Sequence, residues 1–144
     1  MSARKATKYE EFQQTGTNTD VYSDFDGVFL PHPFTGQITR RKNVDSVKMA
    51  IRNLVLTNKY ERLRNPEFGS NIRRYLFENF SPNTSDEIEE HIQFLVDNYE
   101  PRVRLIDVNV TNDEENNALN IRILFAINLT QENQEVELTL YRVR

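Results

Sequence analysis

Cysteine is missing from all 144 residues, which removes disulfides, thiol nucleophiles and sulfur-ligated zinc together. Stability must come from packing. Histidine is almost as scarce, with His32 and His91 the two copies. A nucleophilic relay needs a histidine beside a hydroxyl and an orienting acid; neither is placed for that, and His91, next to the apolar Ile92 position, reads as a helix-surface residue. No His-x-x-x-His pair, glycine-rich phosphate loop or Asp-x-Asp-x-Asp calcium loop occurs. Asp20, Asp24 and Asp26 lie near one another, but without the accompanying glycine and glutamate of a calcium loop. No cofactor or metal is expected. Long apolar runs are also lacking: nothing approaches the ~20 residues that cross a bilayer, and the opening MSARKATKYEEF has no apolar stretch of a secretory signal. The expectation is a soluble chain made in the cytoplasm, with no membrane partner.

Basic charge is in short supply too. A formal charge of −4 argues against a nucleic-acid partner, which asks for a basic face. The one cationic cluster, Arg40, Arg41 and Lys42, has no interleaved aromatics to stack on bases and reads as a solvated connector ahead of a helix. Acids are plentiful, at 22. Because a glycosidase needs two carboxylates, some pair at a suitable separation almost always exists, so their presence says little. Asp86, Glu89, Glu90 and Asp97 fall on predicted solvent faces, where nothing desolvates them. Muramidase-like hydrolysis stays as the enzymatic alternative to a non-enzymatic chain.

What is present is a hydrophobic content of 38% arranged in two periods. Residues 1–20 are polar without period and read as a flexible arm; residues 21–144 read as one domain. Between 21 and 37, Tyr22, Phe25, Val28, Phe29, Leu30 and Phe34 stand among prolines and glycines, which forbids a continuous helix and predicts an extended segment laid across a surface. Val44, Val47, Ile51, Leu54 and Val55 repeat at helical spacing and predict a helix over 45–56, capped by Asn43 or Asp45. After the turn at Pro66, Glu67, Phe68 and Gly69, Ser70 is placed to cap a short helix carrying Ile72, Leu76 and Phe77 inward.

Thr84 and Glu87 have capping-box spacing ahead of a third helix with Ile88, Ile92, Leu95, Val96 and Tyr99 on its apolar face, ended by Pro101. The period then becomes alternating. Val103 and Leu105 give way to Ile106, Val108 and Val110, which predicts a bulge. Ile121, Ile123, Phe125, Ile127 and Leu129 make the inward face of a second strand, and Val136, Leu138 and Leu140 that of a third. Helices followed by strands predict an α+β fold, three helices on one face of a mainly antiparallel C-terminal sheet. The last strand is an expected edge, open to pairing with another chain.

One local feature stands apart from the periodic elements: Glu100, Pro101 and Arg102 at the junction of the last helix and the first long strand. Proline fixes the backbone there and would hold an acid and a guanidinium rigidly at a helix-to-sheet corner, suited to bidentate docking on a partner. The alternative is a helix stop flanked by two exposed charges of little consequence.

The run from Ser23 to Phe80, with Asn65-Pro66-Glu67-Phe68-Gly69-Ser70 and Leu76-Phe77-Glu78 inside it, followed by NYEPRVRLIDVNV around Glu100-Pro101-Arg102, resembles the baseplate wedge subunits of contractile-tailed phages. That family includes the sheath-initiating baseplate component of type VI secretion systems. The resemblance implies a non-enzymatic structural subunit of the virion tail baseplate, assembled in the host cytoplasm and repeated sixfold. Its implied partners are neighbouring wedge proteins, the tail sheath protein, and tail tube or hub proteins. Glu100, Pro101 and Arg102 would grip the wedge core, and the C-terminal strands, 121–129 and 136–143, would pair with the first sheath ring. An equivalent component of a type VI secretion system is the alternative within the same resemblance. There is one departure: relatives commonly carry Gly-Glu-Arg after the first helix, whereas this chain reads Lys59-Tyr60-Glu61-Arg62. Some relatives are labelled lysozyme-like, but no residue pattern here derives that activity.

Overall fold

The computed structural model describes residues 20–27, 29–31 and 33–142. The expected arm, apart from Asp20, lies outside the described residues, as do Val28, His32 and Val143. The chain forms β1 (Ser23–Phe25), β2 (Arg40–Lys42), α1 (Asn43–Leu56), a 3₁₀ helix (Ile72–Phe77), α2 (Pro82–Tyr99), β3 (Val103–Asp113), β4 (Ala118–Ile127) and β5 (Asn133–Tyr141). This is an α+β arrangement. β3, β4 and β5 make an antiparallel meander in that order, and β1 pairs with β2 as a separate antiparallel ribbon.

The core lies between the helices and one face of the meander. Val47, Ile51, Leu54 and Val55 of α1 and Ile88, Ile92, Leu95 and Val96 of α2 bury against Ile121, Ile123, Phe125 and Ile127 of β4, joined by Val136, Leu138 and Leu140 of β5. Each fully buried aliphatic or aromatic side chain of this kind contributes roughly 1.5–3 kcal/mol, so the alternating strands and the helical stripes hold one another. β3 alternates as predicted, with the register shift between Leu105 and Asp107. The shift takes Ile106 out of the inward row, leaving it exposed, while Val103 and Val110 are buried.

Several expectations are corrected. Asn43 does not cap α1: Lys42 holds that position without a side-chain bond. Asn43 instead turns its carbonyl Oδ1 outward, accepting the Val21 N–H at 2.9 Å and the Tyr22 N–H at 3.4 Å. Asparagine tolerates the left-handed backbone needed there (φ 46°). Arg40, Arg41 and Lys42 are a strand, not a connector; Arg41 meets Asp26 at 3.4 Å, Lys42 meets Asp20, and Arg40 lies over the Phe25 ring. The aromatic segment does not lie across a surface. Tyr22 packs on the core, whereas Phe25, Phe29, Leu30 and Phe34 stay exposed on the excursion between β1 and β2.

The short helix is 3₁₀; Ile72 is buried and Leu76 packs on the core, but Phe77 is 62% exposed. α2 starts at Pro82, two residues before Thr84, which serves as its N3 residue: Ser81 caps it, with a reciprocal bond from the Ser81 N–H to Thr84 Oγ1. Pro82 occupies N1, where its missing N–H costs nothing. β4 ends at Ile127, so Leu129 lies in the turn, exposed.

Candidate functional site

Glu100, Pro101 and Arg102 sit where α2 passes into β3. The helix ends because Pro101 disfavours helical geometry at Glu100, whose φ of −128° and ψ of 73° leave the helix while its N–H still donates to the Val96 carbonyl at 2.9 Å. That turn swings the Glu100 side chain inward, where only 6% of the residue is exposed. Arg102 follows it. Its Nε donates to Glu100 Oε1 and its Nη2 to Glu100 Oε2, both at 2.6 Å.

The pair is bidentate and charge-assisted, the strongest ordinary side-chain pairing. Hydrogen bonding to Glu100 raises the Arg102 pKa, outweighing the opposing effect of burial. The view of these residues as two exposed charges is therefore corrected. The carboxylate is spent on the guanidinium, and Arg102, its side chain 30% exposed, keeps three N–H groups beyond the two given to Glu100.

The corner is braced from three directions. Tyr22 places its ring under the guanidinium at 5.3 Å. Asn128, in the β4–β5 turn, donates its side-chain amide to the Pro101 carbonyl at 2.9 Å and its backbone N–H to the Arg102 carbonyl at 3.0 Å. From the third side comes the Pro66-to-Gly69 turn, through Phe68, which packs on Tyr99. The two motifs are thus brought together in space. The sequence points to Tyr22 only as one aromatic of the 21–37 segment and does not point to Asn128; neither an aromatic in an extended segment nor an asparagine in a turn carries a signal of this contact.

The turn itself is built on backbone contacts. Tyr60 donates its N–H to the Pro66 carbonyl at 2.8 Å, and Ser70 donates its own to the Thr57 carbonyl at 2.8 Å. Glu67 reaches Lys59 at 3.9 Å, and Arg62 lies 3.9 Å over the Phe68 ring. Gly69 has φ 118°, and a Cβ there would meet Thr57 O at 2.5 Å; only glycine fits. Tyr60 takes the left-handed conformation, φ 70°.

Two further places bring titratable side chains together. A hollow of about 430 Å³ is lined by Lys59, Ser70, Arg74, Glu87, Glu90 and His91 among others. Burial lowers the His91 pKa, against a hydrogen bond with the Ser70 backbone that raises it, while Lys59 lowers it further. Asp20, Asp24 and Asp26 are engaged with Lys42, the Phe25 N–H and Arg41. No group of three or more metal-ligating side chains occurs among the described residues, nor is any helix long and apolar enough to cross a membrane.

At the sheet, β4 is paired on both sides and β5 on one. The expectation that residues 121–129 offer a pairing strand is corrected, since β4 has no open edge. Val136, Leu138 and Leu140 anchor β5 to the core, and among the described residues no strand pairs with its outer edge. β3 is the other edge, but Glu89 of α2 accepts the Val110 N–H at 2.9 Å.

Residues 41–132 match the family described as baseplate wedge protein gp25. The chain is 33% identical over 107 residues to baseplate wedge protein gp25 of Enterobacteria phage T4, covering 74% of this chain and 80% of that one. Among solved structures it is similar to a candidate tail lysozyme from Geobacter sulfurreducens, with TM-score 0.61 and 25% identity over 68% of this chain and 89% of that one. It also shares the fold of a chain in the six-fold symmetrised baseplate of the anti-feeding prophage, with TM-score 0.59 and 20% identity over 83% and 84% of the two chains.

Proposed function

Because this chain belongs to the baseplate wedge protein gp25 family, and is thereby a structural component of a contractile-tail baseplate, we propose that it initiates the tail sheath while anchored to neighbouring wedge proteins. The observation that carries this reading is the division of the molecule into two docking features. One is the braced corner of Glu100, Pro101 and Arg102; the other is the open edge of β5.

At the corner, Glu100 orients Arg102 and Pro101 fixes the backbone between them. The three remaining N–H groups of the guanidinium are left for carbonyls or carboxylates of a wedge partner. A side chain already held in one rotamer loses little freedom on binding, which favours affinity. Pro66, Glu67, Phe68 and Gly69 support that corner through Tyr99. At the other feature, strand addition to β5 supplies main-chain hydrogen bonds without requiring a pocket. In an assembled tail the chain would be repeated sixfold, with tail tube or hub proteins as further neighbours, after assembly in the host cytoplasm.

The chain works without catalysis on this reading. Support comes from how its best-placed carboxylates are used: Glu100 is locked to Arg102, and Glu89 accepts a strand N–H. Mixing the purified chain with its neighbouring wedge proteins, and incubating it separately with peptidoglycan, tests both parts. Co-migration with the wedge and no release of glycan fragments are expected. Turnover abolished by one carboxylate substitution, or a chain that never joins the wedge, would overturn the reading.

A further inference from the structure

A groove of about 400 Å³ runs where α1 meets β5, lined from the helix by Lys48, Met49 and Arg52 and from the strand by Val136 with its neighbours Glu135 and Glu137. Lys48 and Arg52 stand at i and i+4 and so share a helical face. Among the described residues neither has an ion-pair partner, while Arg41, also lining the groove, is held by Asp26. Asp45 is the one carboxylate that α1 brings there. The opposite face of β5 has the other sign. Val136 points into the core, so Glu135 and Glu137 point away from it, and both draw on one cation, Arg122, at 2.6 and 3.0 Å. Two carboxylates on one guanidinium leave that face negative.

Successive residues of a strand point to opposite faces. A strand added beside β5 would therefore meet positive charge at every second position and negative charge at the positions between. We propose that the β5 edge selects an extended segment of alternating sign. Its carboxylates would face Lys48 and Arg52, and its lysines or arginines would face Glu135 and Glu137.

This deepens the sheath-initiator reading, on which it rests, by naming what sets the register of the incoming sheath strand. The spacing fits: one helical turn separates Lys48 and Arg52 by about 6 Å along the axis, and same-face residues of a strand repeat at about 6.7 Å. A slip by one residue turns every side chain to the other face. It would then set carboxylates against Glu135 and Glu137, a destabilising pairing. The signs reject the wrong register as well as favour the right one. The β3 edge has no such arrangement, since α2 packs along it and Glu89 occupies its Val110 N–H.

The test uses the full chain and the tail sheath protein of the same particle. Affinity is measured at low and high salt, and amide exchange is followed along β5. In the wild type, β5 amides gain protection on binding and affinity falls with salt. Lys48→Glu/Arg52→Glu weakens binding about tenfold, and Lys48→Gln/Arg52→Gln weakens it less while flattening the salt dependence. Circular dichroism checks that both variants fold. If β5 becomes protected and the charge-reversed protein binds within twofold of wild type, the sign selection is overturned while strand addition stands. If β5 gains no protection in the wild-type complex, the strand-pairing reading fails and the selection fails with it.

Discussion

Phe68 and Tyr99 meet edge to face, their ring centroids 5.1 Å apart and their planes at 73°. The contact ties the turn after α1 to the last residue of α2, one position before Glu100. Edge-to-face aromatic pairs add about 0.5–1.5 kcal/mol beyond the area they bury. Here the pair also serves position: Phe68 is held in turn by Arg62 over its ring and by the Gly69 backbone next to it. Two sequence motifs about thirty residues apart therefore act as one structural corner, with Arg102 at its surface.

The Glu100–Arg102 pair predicts non-additive stability. Arg102→Ala strands a buried carboxylate and should cost about 2 kcal/mol, reduced from the fully buried case by the partial exposure of the guanidinium. Glu100→Gln/Arg102→Met should cost less than Arg102→Ala alone, because no charge is then left unpaired. Urea unfolding of the single and double variants measures the coupling. Strictly additive losses would mean that the pair contributes no more than two surface charges.

Substitutions at the two ends of the 57–70 loop should have opposite signs. Tyr60 holds a left-handed backbone that disfavours L side chains, so Tyr60→Gly should stabilise by roughly 0.5 kcal/mol once the greater freedom of glycine in the unfolded chain is offset. Gly69→Ala forces a Cβ against the Thr57 carbonyl and should cost about 2 kcal/mol or more. Thermal unfolding of the two variants side by side gives the comparison. Equal shifts in the same direction would contradict the assigned turn.

His91 predicts a pH dependence. Its pKa is lowered in the folded chain, chiefly by burial, while the unfolded chain titrates near the ordinary value of about 6.5. As pH falls below about 6.5, the unfolded state takes up the proton first, so stability drops until the folded imidazole is also protonated. Above that window the contribution is fully present. His91→Gln should therefore lose less stability than wild type between pH 7 and 5, measured as urea midpoints. Parallel curves would place His91 in an environment no different from water.

The parts of the fold legible in the sequence were those with a strict period. The inward rows of α1, α2 and β4 emerged because packing against one core demands one face, and the bulge in β3 showed as a slip of phase. What stayed hidden depends on contacts remote in sequence. Asparagine before a helix is usually a cap, yet the chain spends Asn43 on the Val21 and Tyr22 N–H groups. Leu129 continues the apolar period past the end of β4, and Phe77 falls on the exposed side of a helix that is 3₁₀ and so turns every three residues. At the corner, the acid, proline and guanidinium were legible as a rigid unit, but the inward turn of Glu100 followed from burial, which no local pattern encodes.

The most direct measurement is electron microscopy of sheath growth on wedge assemblies reconstituted with and without this chain. The account predicts sheath polymerising from assemblies that contain it, and little or none from assemblies that lack it. Sheath growing equally well from both would contradict its role as the sheath initiator.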